Sequence, residues 1–170
     1  MLSMFKKNVF LFKIFNIKTM KKILVALLVI LVVLQFFQID KTNPEFDANQ
    51  DFLKIHETPT EIALTIKAAC YDCHSNQSVY PWYTYVQPVG WFVKNHIEEG
   101  KEHLNFSEFG TYTPKKQAHK LEECYELIEK GEMPLSSYTI IHKDAVLTEA
   151  QQTELISYFM EIEKKINNMK

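Results

Sequence analysis

The chain has 170 residues and a formal net charge of −2 at pH 7, and all 19 of its basic residues are lysines. This balance predicts no strong attraction to nucleic acid, and the absence of arginine removes the bidentate phosphate and guanine contacts of typical DNA-binding proteins. Only 4 glycines occur, which argues against nucleotide-binding folds built on a glycine-rich loop, whereas 46% hydrophobic residues suffice for the core of one domain.

The first element predicted along the chain is a transmembrane anchor. Residues 23–39 are almost wholly aliphatic or aromatic and would form a helix of about 25 Å, near the lower limit for a bilayer core of about 30 Å. The basic segment 1–22 precedes this run, acidic residues follow it, and no small-x-small cleavage site is present. The positive-inside rule therefore predicts an uncleaved, single-pass anchor in the inner (cytoplasmic) membrane, with residues 40–170 on the periplasmic side.

The rest of the chain is predicted to be all-α. Residues 40–57 lack a period and are interpreted as a linker, and the domain 58–168 shows no convincing strand pattern. Capping signals and apolar periodicity predict four helices, which are Thr58 to about Ala69, 89–104, 114–130 with Gly131 as C-cap, and Thr148 to about Ile166. The residues expected to face the core are Ile62, Ile66, Ala69, Leu121, Cys124, Leu127, Ile128, Leu155, Ile156, Phe159 and Ile162.

The reactive side chains concentrate at the end of the first of these helices, in Cys70-Tyr71-Asp72-Cys73-His74. C-x-x-C-H is the attachment pattern of c-type haem. Two cysteines at this spacing can form thioethers with the two vinyl groups on one porphyrin edge, and the adjacent histidine can supply an imidazole nitrogen to the iron. We therefore predict one covalent haem c per chain, held by Cys70 and Cys73, with His74 as a ligand of the iron.

Three other interpretations of the motif are open. A structural zinc site would need a second Cys/His pair at metal spacing, which the chain lacks. A thiol–disulfide motif would place its reactive cysteine at a helix N-terminus, whereas here the predicted helix precedes the motif. A structural disulfide or a chance match is the third. The remaining cysteine, Cys124, is expected to be a buried, inert thiol on an apolar helix face.

The second axial position of the iron decides between electron transfer and ligand binding. Met133 is the favoured ligand, because it precedes Pro134 in a loop between the third and the last predicted helix, the chain order of a small monohaem cytochrome. A soft thioether suits Fe(II) and raises the reduction potential. His96, His142 or an open site are the alternatives, and the solvated surface histidines are expected to be His56, His103 and His119.

The loop 75–88 is rich in aromatic residues. Tyr80 and Trp82 are predicted to contact the porphyrin, with the Trp82 indole as a donor to a propionate, although ordinary packing of the loop explains them equally well.

A wider set of residues resembles the bacterial haem-binding domain family. In chain order these are CYDCHSN (70–76), Tyr80-Pro81-Trp82-Tyr83, Trp91, His96, Gly100, Leu104-Asn105-Phe106-Ser107, Gly131-Glu132-Met133-Pro134 and Tyr138. The resemblance spans residues 60–165 and implies a small exported protein that binds haem c, with no catalytic activity assigned. Lys101 stands where the family leads us to expect arginine, and lysine cannot form a bidentate contact with a carboxylate.

Together these features predict a small cytochrome c-like helical domain behind a transmembrane helix, a membrane-anchored monohaem c-type cytochrome for periplasmic electron transfer. Its expected partners are membrane-bound or periplasmic redox proteins and, through 23–39, the lipid bilayer, with no nucleic acid. The alternative is a haem-based sensor or gas-binding domain with a displaceable sixth ligand. No catalytic residue is predicted, and no motif supports a peroxidase-type pair such as His96 with Glu98 or Glu99.

Overall fold

A computed structural model describes residues 17–168, and within this range the chain is all-α, without a strand. The α-helices are α1 (Ile17–Leu34), α2 (Phe52–Ile55), α3 (Thr60–Ile66), α4 (Asp72–His74), α5 (Val89–His103), α6 (Pro114–Glu129), α7 (Ser136–Thr139) and α8 (Glu149–Asn168). A π-helical turn, Lys67–Tyr71, connects α3 to α4, and short 3-10 turns occur at Ala48–Gln50, Trp82–Tyr85, Phe106–Thr111 and Lys143–Ala145.

The all-α prediction is confirmed, but the prediction of a transmembrane anchor at 23–39 is wrong. Helix α1 begins at Ile17, so its first turns carry lysines, and it ends at Leu34. Only residues 23–34 of the apolar run are therefore helical, about 18 Å of helix, which falls well short of a bilayer core of about 30 Å. Within the part of the chain that the structure describes, no helix combines the length and the apolar character needed to cross a membrane.

The predicted location fails with the anchor. A single-pass position in the inner membrane, with the domain on its periplasmic side, required a spanning helix. Most of the basic segment that oriented this prediction, residues 1–16, lies outside the described residues.

The chain divides into two compact units, and residues 17–39 with Trp82–Trp91 form the smaller one. Inside this unit, the side chain of Gln35 forms two hydrogen bonds with the backbone of Gln87. Its Nε2 donates to the carbonyl oxygen at 3.0 Å, and its Oε1 accepts from the backbone amide at 2.9 Å. The indole Nε1 of Trp91 donates to the carbonyl of Phe37 at 2.9 Å. Residues 35–37 of the apolar run therefore form a turn fixed by hydrogen bonds and do not continue α1.

The larger unit comprises Asp40–Pro81 and the described part of Phe92–Lys170, and its two long helices α6 and α8 follow the predictions closely. Helix α6 has Pro114 at its first turn and the hydroxyl of Thr113 accepting from the amide of Lys116, as the capping signal predicts. Gly131, with φ of 68°, ends this helix. Thr148 and Gln151 exchange capping hydrogen bonds before α8. The predicted capping box at Thr58 does not form, because its hydroxyl instead accepts from Tyr158.

The core of the larger unit is an aromatic cluster enclosed by helices. Helices α6 and α8 pack along each other and contribute apolar side chains from the predicted faces. Phe52 lies at the centre, with ring centroids 5.3 Å from Phe106, 5.0 Å from Phe109 and 5.8 Å from Phe159. The Tyr71 ring stacks on Phe106 at 5.5 Å. The C-x-x-C-H segment is therefore attached to the core through its first intervening residue.

The segment 40–57 differs from the aperiodic linker that the sequence predicts. It contains a 3-10 turn and α2, and Phe52 is fully buried. Asp51 is also buried, where its carboxylate accepts from the amide of Leu53, the hydroxyl of Tyr71 and the side chain of Gln77. A helix of four residues is too short to show a period, so its packing role leaves no pattern in the sequence.

Candidate functional site

The C-x-x-C-H residues occupy the last two turns of one continuous helical segment. Helix α3 passes into the π turn Lys67–Tyr71 and then into α4, with αR backbone geometry at both junctions. The helix therefore extends beyond the predicted end near Ala69 and includes the whole motif. Cys70 lies in the π turn, while Cys73 and His74 lie in the final turn. Single π turns inside α-helices occur frequently at functional sites.

The two cysteines of the motif are free, partly buried thiols. Burial, followed by the neighbouring Cys73, raises the pKa of Cys70 to about 12. Burial, followed by the carboxylate of Asp72, raises the pKa of Cys73 to about 11. Reactive cysteines of thiol–disulfide enzymes have lowered pKa values, so this environment is the opposite of the one that such chemistry requires.

A backbone carbonyl fixes the tautomer of His74. Nδ1 lies 3.1 Å from the carbonyl oxygen of Leu104, and a carbonyl only accepts, so Nδ1 carries the proton and donates it. Burial lowers the pKa of His74 and favours the neutral ring. A neutral imidazole held in this way keeps the lone pair of Nε2 for a metal, the arrangement found in most metal-binding histidines.

Helix α5 packs against the motif at Gly100, where no side chain fits. A Cβ at this position would lie 2.6 Å from the carbonyl oxygen of Cys73 and 3.3 Å from its Cβ. The backbones of the two segments can therefore approach only because residue 100 is a glycine. Leu104, one turn further along, is thereby placed where its carbonyl reaches His74.

Buried polar side chains hold the residues that follow the motif. The backbone amide of Asn76 donates to the hydroxyl of Ser107 at 3.1 Å. The side-chain Nδ2 of Asn105 donates to Oδ1 of Asn76 at 3.0 Å. The hydroxyl of Ser75 donates to the carbonyl of Tyr71 at 2.7 Å. The Ser-Asn after His74 and the Asn-Phe-Ser at 105–107 thus form one network.

One cavity of about 580 Å³ opens beside the motif, within the ~300–1,000 Å³ typical of cofactor pockets. Cys70, Cys73, His74 and Met133 all line it, although more than fifty residues separate Met133 from the others. Its apolar walls include Ala69, Leu104, Phe106, Leu127, Ile128, Pro134, Leu135, Leu147 and Phe159. The two thiols of the motif, the His74 imidazole of fixed tautomer and the Met133 thioether around an apolar cavity fit the requirements of a covalently bound haem.

The loop that carries Met133 is tied to the motif by a hydrogen bond. The hydroxyl of Tyr138, in α7, donates to Oδ2 of Asp72 at 2.8 Å, and Asp72 lies between the two cysteines. The other oxygen of Asp72 accepts from the amide of Val79 at 3.1 Å. The ring of His142 stacks on Tyr138 at 4.1 Å. The carbonyl of Leu127 accepts from the amide of Met133, which anchors the start of the loop to α6.

The cavity also includes residues that the sequence analysis did not select. His103 is exposed, as expected, and it also lines the cavity, as do Lys120 and Glu123. The spacing of three and four residues places each of them on the same helix face as another cavity residue. These faces carry His96, Gly100 and His103 on α5, and Lys120, Cys124 and Leu127 on α6. Cys124, expected to be buried, is half-buried: it packs against the core and also lines the cavity, and burial raises its pKa.

Other predicted residues lie elsewhere. The cavity lining does not include His142, Tyr80 or Trp82. Tyr80 is half-buried, and Trp82 belongs to the smaller unit, where it is 76% exposed. A haem contact at either residue stays a prediction. His119 is exposed, as expected, whereas His56 is half-buried between Phe52 and Phe109.

Comparison with protein families identifies a haem-binding domain. The sequence model of a family described as "Haem-binding domain" matches residues 29–161, well over half of the chain. No curated protein and no solved structure matches the chain.

Proposed function

Since the chain belongs to the haem-binding domain family, we propose that it acts as a monohaem c-type cytochrome domain. The proposal assigns the two thioether bonds to Cys70 and Cys73 and the two axial positions to His74 and Met133. One observation carries it: all four residues line a single cavity, in which the donation of Nδ1–H to Leu104 leaves Nε2 of His74 for the iron. Covalent attachment would hold the cofactor in a domain with a small core.

We further propose electron transfer as the role of this domain. With both axial positions filled by side chains, the bound iron would offer one-electron chemistry and no open position for a substrate. The chain's residues would then orient the cofactor, exclude water from it with the apolar walls of the cavity and raise its potential through the thioether of Met133. The partner would be a second redox protein, and Tyr80 and Trp82 remain proposed contacts of the porphyrin.

Covalent attachment is tested by producing the full chain together with a c-type haem maturation system. We expect haem staining to persist after denaturation in reductant, and an intact mass equal to the polypeptide plus one haem. The double substitution C70S/C73S should abolish the stain, whereas C124S should retain it, because the thiol of Cys124 lies outside the motif. Matured protein that is colourless, with the mass of the bare polypeptide, would end the cytochrome proposal.

The role of Met133 separates electron transfer from gas sensing. The oxidised native protein should show the far-red sulfur-to-iron band, and the reduced protein should bind carbon monoxide slowly and incompletely. M133A should lose the band and bind carbon monoxide rapidly, because it has no thioether to compete for the iron. Rapid and complete binding by the native protein would instead favour the sensor alternative.

A further inference from the structure

We propose that Lys120 binds a propionate carboxylate of the porphyrin, in exchange for its present partner Glu123. This inference rests on the proposed assignment of the cavity to haem. Haem brings two carboxylates with it, and a carboxylate moved from water to an apolar wall is strongly unfavourable unless a cation meets it. A cavity that accepts haem therefore needs a cation at its wall or must leave the propionates in solvent.

Lys120 is placed to be that cation. Its side chain is only 16% exposed and lines the cavity from α6. Among the cavity-lining residues of the described chain it is the only lysine, and the sequence has no arginine to take its place. The long aliphatic stem of a lysine can lie along apolar wall while its ammonium reaches a polar partner.

A carboxylate of the chain already occupies the position that we assign to the propionate. Nζ of Lys120 lies 2.6 Å from Oε2 of Glu123, a short, charge-assisted contact. The side chain of Glu123 is 42% exposed, and its other oxygen lies 3.3 Å from Nε2 of His119 on the outer surface of α6. Glu123 can therefore turn to His119 and solvent when a second carboxylate takes Lys120.

The other polar groups of the cavity favour Lys120 over a site elsewhere on the wall. Glu99 and Glu126 also line the cavity and would repel a propionate. Nδ1 of His96 lies 2.9 Å from the carbonyl oxygen of Phe92, so this nitrogen already donates within α5 and is not available to a propionate. The ammonium of a lysine offers three donors.

The test compares two porphyrins that differ only in their carboxylates. The full chain, produced without haem-attachment machinery and kept reduced, is titrated with iron protoporphyrin IX and with its dimethyl ester, and each Kd is read from the Soret band. We expect K120Q to weaken binding of the diacid about tenfold and to leave binding of the ester unchanged, because only the diacid can form the charge-assisted contact. E123Q should tighten binding of the diacid, since it removes the competing carboxylate.

The matched control is K116Q, which makes the same charge change one turn earlier on α6. Lys116 lies over the Tyr112 ring, 3.7 Å from its centroid, and does not line the cavity, so K116Q should leave both Kd values unchanged. If K120Q weakened binding of both porphyrins equally, or of neither, the assignment of Lys120 would be overturned, while the assignment of the cavity to haem would stand. A native chain that binds neither porphyrin would overturn the cavity assignment as well.

Discussion

At the scale of single residues, the orientation of the proposed axial histidine depends on a glycine of another helix. Gly100 allows α5 to lie against the backbone of Cys73, and this approach brings the carbonyl of Leu104 to Nδ1 of His74. Hydrogen bonds of this kind set both the tautomer and the ring orientation of a ligand. A change at Gly100, which also lines the cavity, should therefore act on the iron through His74.

The substitution G100A tests this dependence. The new Cβ would lie 2.6 Å from a backbone oxygen that cannot turn away, so α5 must shift. We expect a loss of about 1–3 kcal/mol in the free energy of unfolding, typical of overpacking. We also expect a higher reduction potential, because a longer bond from His74 to Leu104 makes the imidazole less basic and stabilises the oxidised iron less. Chemical denaturation and a potentiometric titration of the matured protein measure the two effects.

G110A is the control for G100A, because its Cβ would meet Gln50, outside the cavity. It should reduce stability and leave the potential unchanged. If both variants, or neither, changed the potential, the proposed path through Leu104 would be wrong.

At the scale of elements, the structure joins the loop after α6 to the C-x-x-C-H segment through Tyr138 and Asp72. Since Met133 lies on that loop, its thioether can stay at a fixed place in the cavity only while the loop is held. Burial, followed by the hydrogen bond to Asp72, raises the pKa of Tyr138, so the phenol remains a donor at neutral pH. Tyr138 is thus a positioning residue for the proposed ligand.

Y138F removes this hydroxyl and keeps the ring. We expect a loss of about 1 kcal/mol in stability, a weaker far-red sulfur-to-iron band and a lower reduction potential, because the thioether would spend less time on the iron. The matched control is Y158F, which deletes the hydroxyl that bonds to Thr58 at 2.8 Å, away from the cavity. Y158F should show a similar loss of stability without a spectral change. An unaltered band in Y138F would contradict the positioning role.

The same comparison of elements explains what the sequence can predict. The bounds of α5, α6 and α8 follow from the sequence within one or two residues, and α6 and α8 have clear N-terminal caps. The end of α1 was missed because a continuous apolar run carries no signal for where its helix stops, and the hydrogen bonds of Gln35 to Gln87 connect residues far apart in the sequence.

Some residues of the candidate site can be predicted from the sequence, and others become evident only in the tertiary structure. The spacing within C-x-x-C-H reveals Cys70, Cys73 and His74, and chain order suggests Met133. Lys120 and His103 share helix faces with other cavity residues, but only the tertiary structure shows that these faces meet the motif. The carbonyl of Leu104 belongs to the backbone, so the identity of the side chain at this position does not predict its hydrogen bond to His74.

At the scale of the whole molecule, stability of the larger unit rests on an aromatic cluster that is in contact with the ring of His56. His56 lies 4.8 Å from Phe52 and 5.8 Å from Phe109, measured between ring centroids. Its Nε2 is buried and has no hydrogen-bond partner among the residues that the structure describes. Burial, followed by the charge of Lys165, lowers the pKa of His56 to about 4. Protonation of this ring must therefore oppose folding.

The expected consequence is a stability that depends on pH between about 6.5 and about 4. In this window the unfolded chain binds a proton at His56 and the folded chain does not, so stability falls as pH falls and levels off below the folded pKa. H56F should remove this contribution, reducing by a few degrees the difference between the melting temperatures at about pH 7.5 and about pH 5. H119N, at a histidine side chain that is 61% exposed, should keep the native difference. A native difference retained in H56F would show that other groups cause the acid sensitivity, and that His56 is accommodated in its charged form.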